Sequence, residues 1–132
     1  MHIVNIMFSR GGGGIEQAFV DYCIGLSERG HMVTAVVYPG AVAERLLVES
    51  GADVAIHQMR NFSEWDIFAA ARLKRLLLKA QPDCVIAHAN RAYSLAKKAI
   101  KGRIPLVAVA QNYSTRRFNS ADAVFTTTHD LM

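Results

Sequence analysis

The chain has 132 residues, 52% of them hydrophobic and 20% charged, with a net charge of +4. That is about one domain's length, and its apolar content excludes a disordered chain. No apolar run reaches the roughly 18 residues that cross a bilayer, and the opening MHIVNIMFSRGGGG lacks the basic lead and cleavage site of a signal peptide. The two cysteines, Cys23 and Cys84, lie in apolar runs without CxxC or Cys/His spacing. Neither a disulfide scaffold nor a metal site is expected, and a reduced, cytoplasmic compartment fits.

Short apolar runs alternate with amphipathic ones throughout. Residues 3–8 (IVNIMF) read as a buried strand that ends in Ser9, Arg10 and four glycines. A helix beginning near Ile15 follows, with Ile15, Ala18, Phe19, Tyr22, Cys23 and Leu26 on one face. Gly30 stands where a left-handed cap would stop it. Residues 33–37 form the second strand, residues 42–49 a short helix ended by Gly51, and residues 54–56 a third, weaker strand. Ser63 with Asp66 three residues on offers an N-cap for the longest helix. Its expected buried stripe is Trp65, Phe68, Ala69, Leu73, Leu76, Leu77 and Ala80, with Pro82 just beyond. Residues 83–88 are strand four, 91–101 a basic helix, 105–110 strand five and 123–126 strand six.

Strands that are apolar on consecutive residues are covered on both faces, as in parallel sheets. The expected fold is therefore α/β: one doubly wound, Rossmann-like parallel sheet of about six strands with helices on both faces. Ligands of such sheets bind at the carboxyl ends of the strands, near the point where strand order reverses. The segments to inspect are residues 9–16, 38–40, 59–62, 88–91, 111–117 and 127–130.

Gly11, Gly12, Gly13 and Gly14 join the first strand to the first helix. Bare backbone can approach a ligand closely and adopt positive φ, and the helix start directs free amides and its positive dipole end into the loop. The combination suits a phosphate or other anion; the alternative is a merely flexible turn. A dinucleotide GxGxxG starting at Gly11 would need a glycine where Glu16 stands, and the GxxxxGK[ST] of P-loop enzymes is absent. Glu16 would repel a phosphate on the helix end, so its expected part is to meet a hydroxyl or to brace the loop.

Charge is unevenly spread. Residues 1–66 carry four basic and eight acidic side chains, whereas residues 72–117 carry eleven basic ones and a single acid, Asp83. The skew points either to an anionic partner for the second half or to solvated helix faces. No nucleic-acid reader motif accompanies it.

Four pieces, in order, resemble the amino-terminal domain of GT-B-fold glycosyltransferases of family 4 (glycosyl transferase group 1). They are GGIEQ at residues 13–17 with ERGHMVT at 28–34, PDCVIAHA at 82–89, IPLV at 104–107, and SADAV at 120–124. The resemblance implies a transferase in which two Rossmann-like domains face each other. The first chiefly holds the acceptor and the second most of a nucleotide-diphosphate sugar, which is a substrate; no cofactor is implied. The sequence resembles only the first domain over residues 1–132, so the donor domain is expected in a longer chain or on a partner, and the isolated domain is expected to be inactive.

Carried over by position, Gly13 and Gly14 resemble the glycines that approach donor phosphates or acceptor. His88 corresponds to a histidine near the transferred sugar. It can hydrogen-bond a hydroxyl without acting as base, since retaining transfer is generally thought to use the leaving phosphate; the alternative is a strand-end histidine satisfied by backbone groups. Ile86 replaces a further histidine of the family. Gln111 and Asn112 stand where a histidine is frequent, which leaves them polar acceptor contacts. Arg116 and Arg117 either grip an acceptor phosphate or form an exposed loop pair. Acceptors implied by the resemblance include lipopolysaccharide and other glycans or glycolipids. The basic helices over residues 72–79 and 97–103 are then candidates to hold an anionic membrane surface from the cytoplasmic side. The competing reading is a free-standing phosphate- or nucleotide-binding or protein-docking module without catalysis.

Overall fold

The computed structural model of the protein describes residues 1–11, 13–61, 66–100, 104–110 and 123–126. In chain order its elements are β1 (His2–Met7), α1 (Gly14–Glu28), β2 (Met32–Val37), α2 (Val42–Ser50), β3 (Val54–Gln58), α3 (Ile67–Ala80), β4 (Cys84–His88), α4 (Ala89–Ile100), β5 (Leu106–Ala110) and β6 (Ala123–Thr126). The strands form one sheet in the order β3-β2-β1-β4-β5-β6, and every neighbouring pair is parallel. This is the doubly wound α/β sheet expected from the doubly apolar strands.

The two faces of β1 show how the layers are built. Val4, Ile6 and Phe8 join a core with Ala69, Leu73 and Leu77 of α3 and Leu95 and Ala96 of α4. Met7 joins the opposite core with Phe19, Val20 and Cys23 of α1 and Leu47 of α2. Asn5 points into that second layer, fully buried. Its Nδ2 donates to the Phe19 carbonyl at 3.3 Å and lies 3.2 Å from the Cys23 Sγ. These contacts fix α1 against the central strand, and burial pushes the Cys23 thiol up to about 12.

Helix ends follow local chemistry. Gly30 has φ 88, and the helix carbonyls are closed by Gly30 N–H to Ser27 O and His31 N–H to Leu26 O, both at 3.1 Å, the paired bonds of a Schellman stop. The start of α3 departs from expectation. Asp66 is itself the N-cap, its Oδ1 accepting from Ala69 N–H at 3.0 Å, so the helix begins later than a Ser63 cap would place it; Ser63 and Trp65 lie outside the described residues. Ala69, Ala70, Leu73 and Leu77 form the buried face and Phe68 turns outward, 74% exposed. The basic helix α4 also begins earlier than residue 91. It follows β4 with no intervening residue, and Ala89 at φ 71 makes the corner. A left-handed alanine carries a backbone cost of roughly 1–2 kcal/mol.

Candidate functional site

Strand order reverses between β1 and β4: the chain runs outward from β1 through β2 to β3, then returns to lay β4 on the other side of β1. The two strands end together, with Met7 paired to His88. The residues immediately beyond them, Ser9 and Arg10 after β1 and Ala89 and Arg91 after β4, line a cavity of about 350 Å³ with Phe8, His88 and Ala92. A volume of that size is in the range of small-molecule sites, and its position is where open α/β sheets bind ligands.

His88 is fully buried. Its ring meets Phe19 edge-on, with centroids 5.3 Å apart and planes at 87°, and Tyr22 at 5.2 Å and 57°. Neither Nδ1 nor Nε2 has a hydrogen-bond partner among the described residues, and no described backbone group satisfies this histidine. Desolvation disfavours the imidazolium and pushes its pKa down to about 3. At neutral pH the ring is uncharged, with one nitrogen able to donate and the other to accept. Two unsatisfied nitrogens in a buried ring beside a cavity leave hydrogen-bonding capacity for an incoming hydroxyl.

The glycine loop lies beside this corner. Ser9 Oγ donates a hydrogen bond to Glu16 Oε1, and Glu16 is 5% exposed. This carboxylate ties the first turn of α1 to the end of β1. The left-handed backbone expected of the loop is not found at Gly13, whose φ of 178 is extended and open to any residue. A Cβ there would stand 3.2 Å from Glu16 Oε2, a tight contact to which the carboxylate would have to yield. Gly13 O accepts from Gln17 N–H at 3.0 Å, and α1 begins at Gly14 with no side-chain cap. Gly11 is exposed, with open space where a Cβ would go. Gly12 lies outside the described residues, as do Gln111, Asn112, Arg116 and Arg117.

Two cations escaped assignment from sequence. The Arg10 guanidinium lies 4.9 Å above the Tyr38 ring, and Val42 N–H donates to the Arg10 carbonyl at 3.2 Å. Arg91 Nη1 donates to Asn61 Oδ1 at 3.4 Å. Both line the cavity, which they make electropositive. The signal for them was positional, since each follows the end of one of the two central strands within three residues.

A family model described as Glycosyltransferase Family 4 matches residues 12–131. No curated protein matches. Solved structures share the fold. MurG of Acinetobacter baumannii superposes with a TM-score of 0.72 at 18% identity, over 95% of this chain and 40% of MurG. The lipopolysaccharide outer core galactosyltransferase WaaB gives 0.66 at 15% identity, over 94% and 38%. HepE of Anabaena, solved with UDP and glucose, gives 0.63 at 19% identity, over 83% and 29%. The chain thus spans well under half of each of these proteins. It belongs to Glycosyltransferase Family 4, and its sheet is that of an amino-terminal Rossmann-like half of a GT-B glycosyltransferase. No described helix is long and apolar enough to cross a membrane.

Proposed function

We propose that this chain is the acceptor-side half of an enzyme that transfers a sugar from a nucleotide-diphosphate sugar to a glycan or glycolipid acceptor, lipopolysaccharide being one such class. The observation that carries the reading is His88: a neutral, buried imidazole whose nitrogens have no partner among the described residues, at the strand-order reversal and beside a cavity flanked by Arg10 and Arg91. In this reading a nitrogen of His88 hydrogen-bonds a sugar hydroxyl and orients it. General-base catalysis near neutrality is a poor match to so depressed a pKa, because a base works best with a pKa near the working pH. The cations Arg10 and Arg91 attract phosphate or other anionic oxygens, and the Ser9–Glu16 bond holds the loop at the mouth of the cleft. Gly11, Gly12, Gly13 and Gly14 would let a phosphate or acceptor approach the start of α1. Gln111 and Asn112 serve as polar acceptor contacts, and Arg116 and Arg117 as holders of an acceptor phosphate. Most donor contacts would come from a second domain, and a peripheral position on the cytoplasmic leaflet would suit a lipid-linked acceptor.

The test uses the full-length enzyme. His88→Ala removes one hydrogen bond to the sugar and leaves a cavity, and transfer should fall by roughly 10-fold or more while the folded domain persists by circular dichroism. Full transfer by the folded variant would take His88 out of the site. Efficient transfer by residues 1–132 alone would refute the division of labour between the two halves.

A further inference from the structure

A second concavity lies away from the His88 corner and shares no lining residue with it. Between α3 and the β2–β3 side of the sheet is a groove of about 480 Å³, lined by Thr34, His57, Arg72, Arg75, Leu76, Lys79 and Ala80. Helices α3 and α4 cover β1, β4 and β5 on this face, which leaves β3 open beside α3, with Ala55 and His57 exposed. His2 closes one end: its Nε2 lies 2.9 Å from Thr34 Oγ1 and its Nδ1 3.2 Å from the Ala80 carbonyl. At the other, Arg72 Nη2 donates to the Arg60 carbonyl at 2.7 Å.

The charge of this groove is one-sided. Helix α3 reads IFAAARLKRLLLKA, with four cations and no acid. Arg72 and Arg75 are three residues apart and Arg75 and Lys79 four, so all three cations share one flank of the helix. No carboxylate among the described residues pairs with any of them. The Asp83 carboxylate, near the His2 end, accepts the His2 N–H at 2.8 Å. Like charges at these spacings destabilise a helix, a cost that a bound polyanion would offset. Leu76 and Ala80 supply the apolar part of the lining and Thr34 and His57 add polar groups from β2 and β3, while the exposed Phe68 and Leu78 stand on the same helix.

We propose that this groove binds a phosphorylated ligand with an apolar portion, its phosphate held by Arg72, Arg75 and Lys79 and its apolar part resting on Leu76 and Ala80. The volume lies within the roughly 300–1,000 Å³ of small-molecule sites. Guanidinium forks match phosphate oxygens bidentately, and the ammonium of Lys79 adds a point charge. A phosphate ester with an apolar body can be a soluble metabolite or a lipid headgroup, and both present the same chemistry to these residues. The site is independent of the proposed sugar transfer, because no residue of the His88 cavity takes part.

The experiment uses the full-length protein with two probes, inorganic pyrophosphate and vesicles of phosphatidylglycerol in phosphatidylcholine. Amide shifts on pyrophosphate addition should map to α3 and β3 if a soluble ligand is bound there. Co-sedimentation with the anionic vesicles, but not with pure phosphatidylcholine, assigns a lipid headgroup. The exposed side chains Arg75 and Lys79 can be altered without disturbing the core, and Arg75→Ala and Lys79→Ala should each weaken binding of the active probe by about 10-fold or more. Arg75→Lys should recover part of the loss. Binding of neither probe, shifts centred on the His88 cavity, or binding unchanged in the Arg75→Ala/Lys79→Ala double variant would each overturn the proposal. A thermal melt matching wild type assures that a loss of binding is not a loss of fold.

Discussion

Burying His88, which has no hydrogen-bond partner among the described residues, makes the stability of the fold depend on pH in a direction that can be measured. In the unfolded chain a histidine titrates near 6.5, whereas desolvation pushes His88 down to about 3 in the fold. Because the folded value is depressed, the unfolded state takes up a proton first as pH falls. Proton uptake therefore contributes nothing above about 6.5, and stability declines at about 1.4 kcal/mol per pH unit from there toward pH 3. Between pH 7.5 and pH 5 the loss is about 2 kcal/mol from this one group, an upper figure because water can reach a breathing site. The pH 5 limit keeps most of the carboxylate titration out of the window. Urea unfolding of wild type and His88→Gln over that range isolates the effect, since all other titrations are common to both proteins. Glutamine keeps the polar character without a proton to gain, so its stability should be flatter by about 2 kcal/mol across the window. Parallel curves for the two proteins would refute the idea of a buried, desolvated imidazole.

Other perturbations separate the packing from the loop. Leu73→Ala, at a fully buried position in the core between α3, α4 and the sheet, should cost about 2–5 kcal/mol, while Phe68→Ser on the same helix should change stability by no more than about 0.5 kcal/mol; denaturant midpoints compare them. Ala89→Gly should raise stability by up to about 1 kcal/mol, because glycine takes the left-handed corner between β4 and α4 without a Cβ penalty, and a higher Tm is the readout. Glu16→Ala, which leaves the Ser9 hydroxyl without its acceptor, should lose about 1–3 kcal/mol by the same melt.

Which of these features could be read before any coordinates depends on how local their causes are. The strands β1, β2 and β4 announced themselves because they lie inside the sheet with both faces covered, so nearly every residue had to be apolar. Phe68 shows the limit. Its place in a helical stripe depended on the rotation of the helix about its axis, and the burial of Ala70 rather than Phe68 fixes that rotation. Turning the stripe by part of a turn exchanges its flanking positions, and so a large aromatic moved from core to surface. His88 was legible as a strand-end residue, but its isolation was not, because Phe19 and Tyr22 approach it from a helix almost seventy residues earlier in the chain. Arg10 and Arg91 were hidden for the same reason: each is an ordinary exposed cation in sequence, and only the pairing of Met7 with His88 brings the segments that carry them to one cavity. At Gly13 the expected positive φ is absent. The backbone of Gly13 is extended, and its missing Cβ leaves room for a carboxylate seven residues from the serine it holds. The candidate site is thus made by parallel register, which places the ends of non-consecutive strands side by side, and its chemistry follows from the contacts that register enforces.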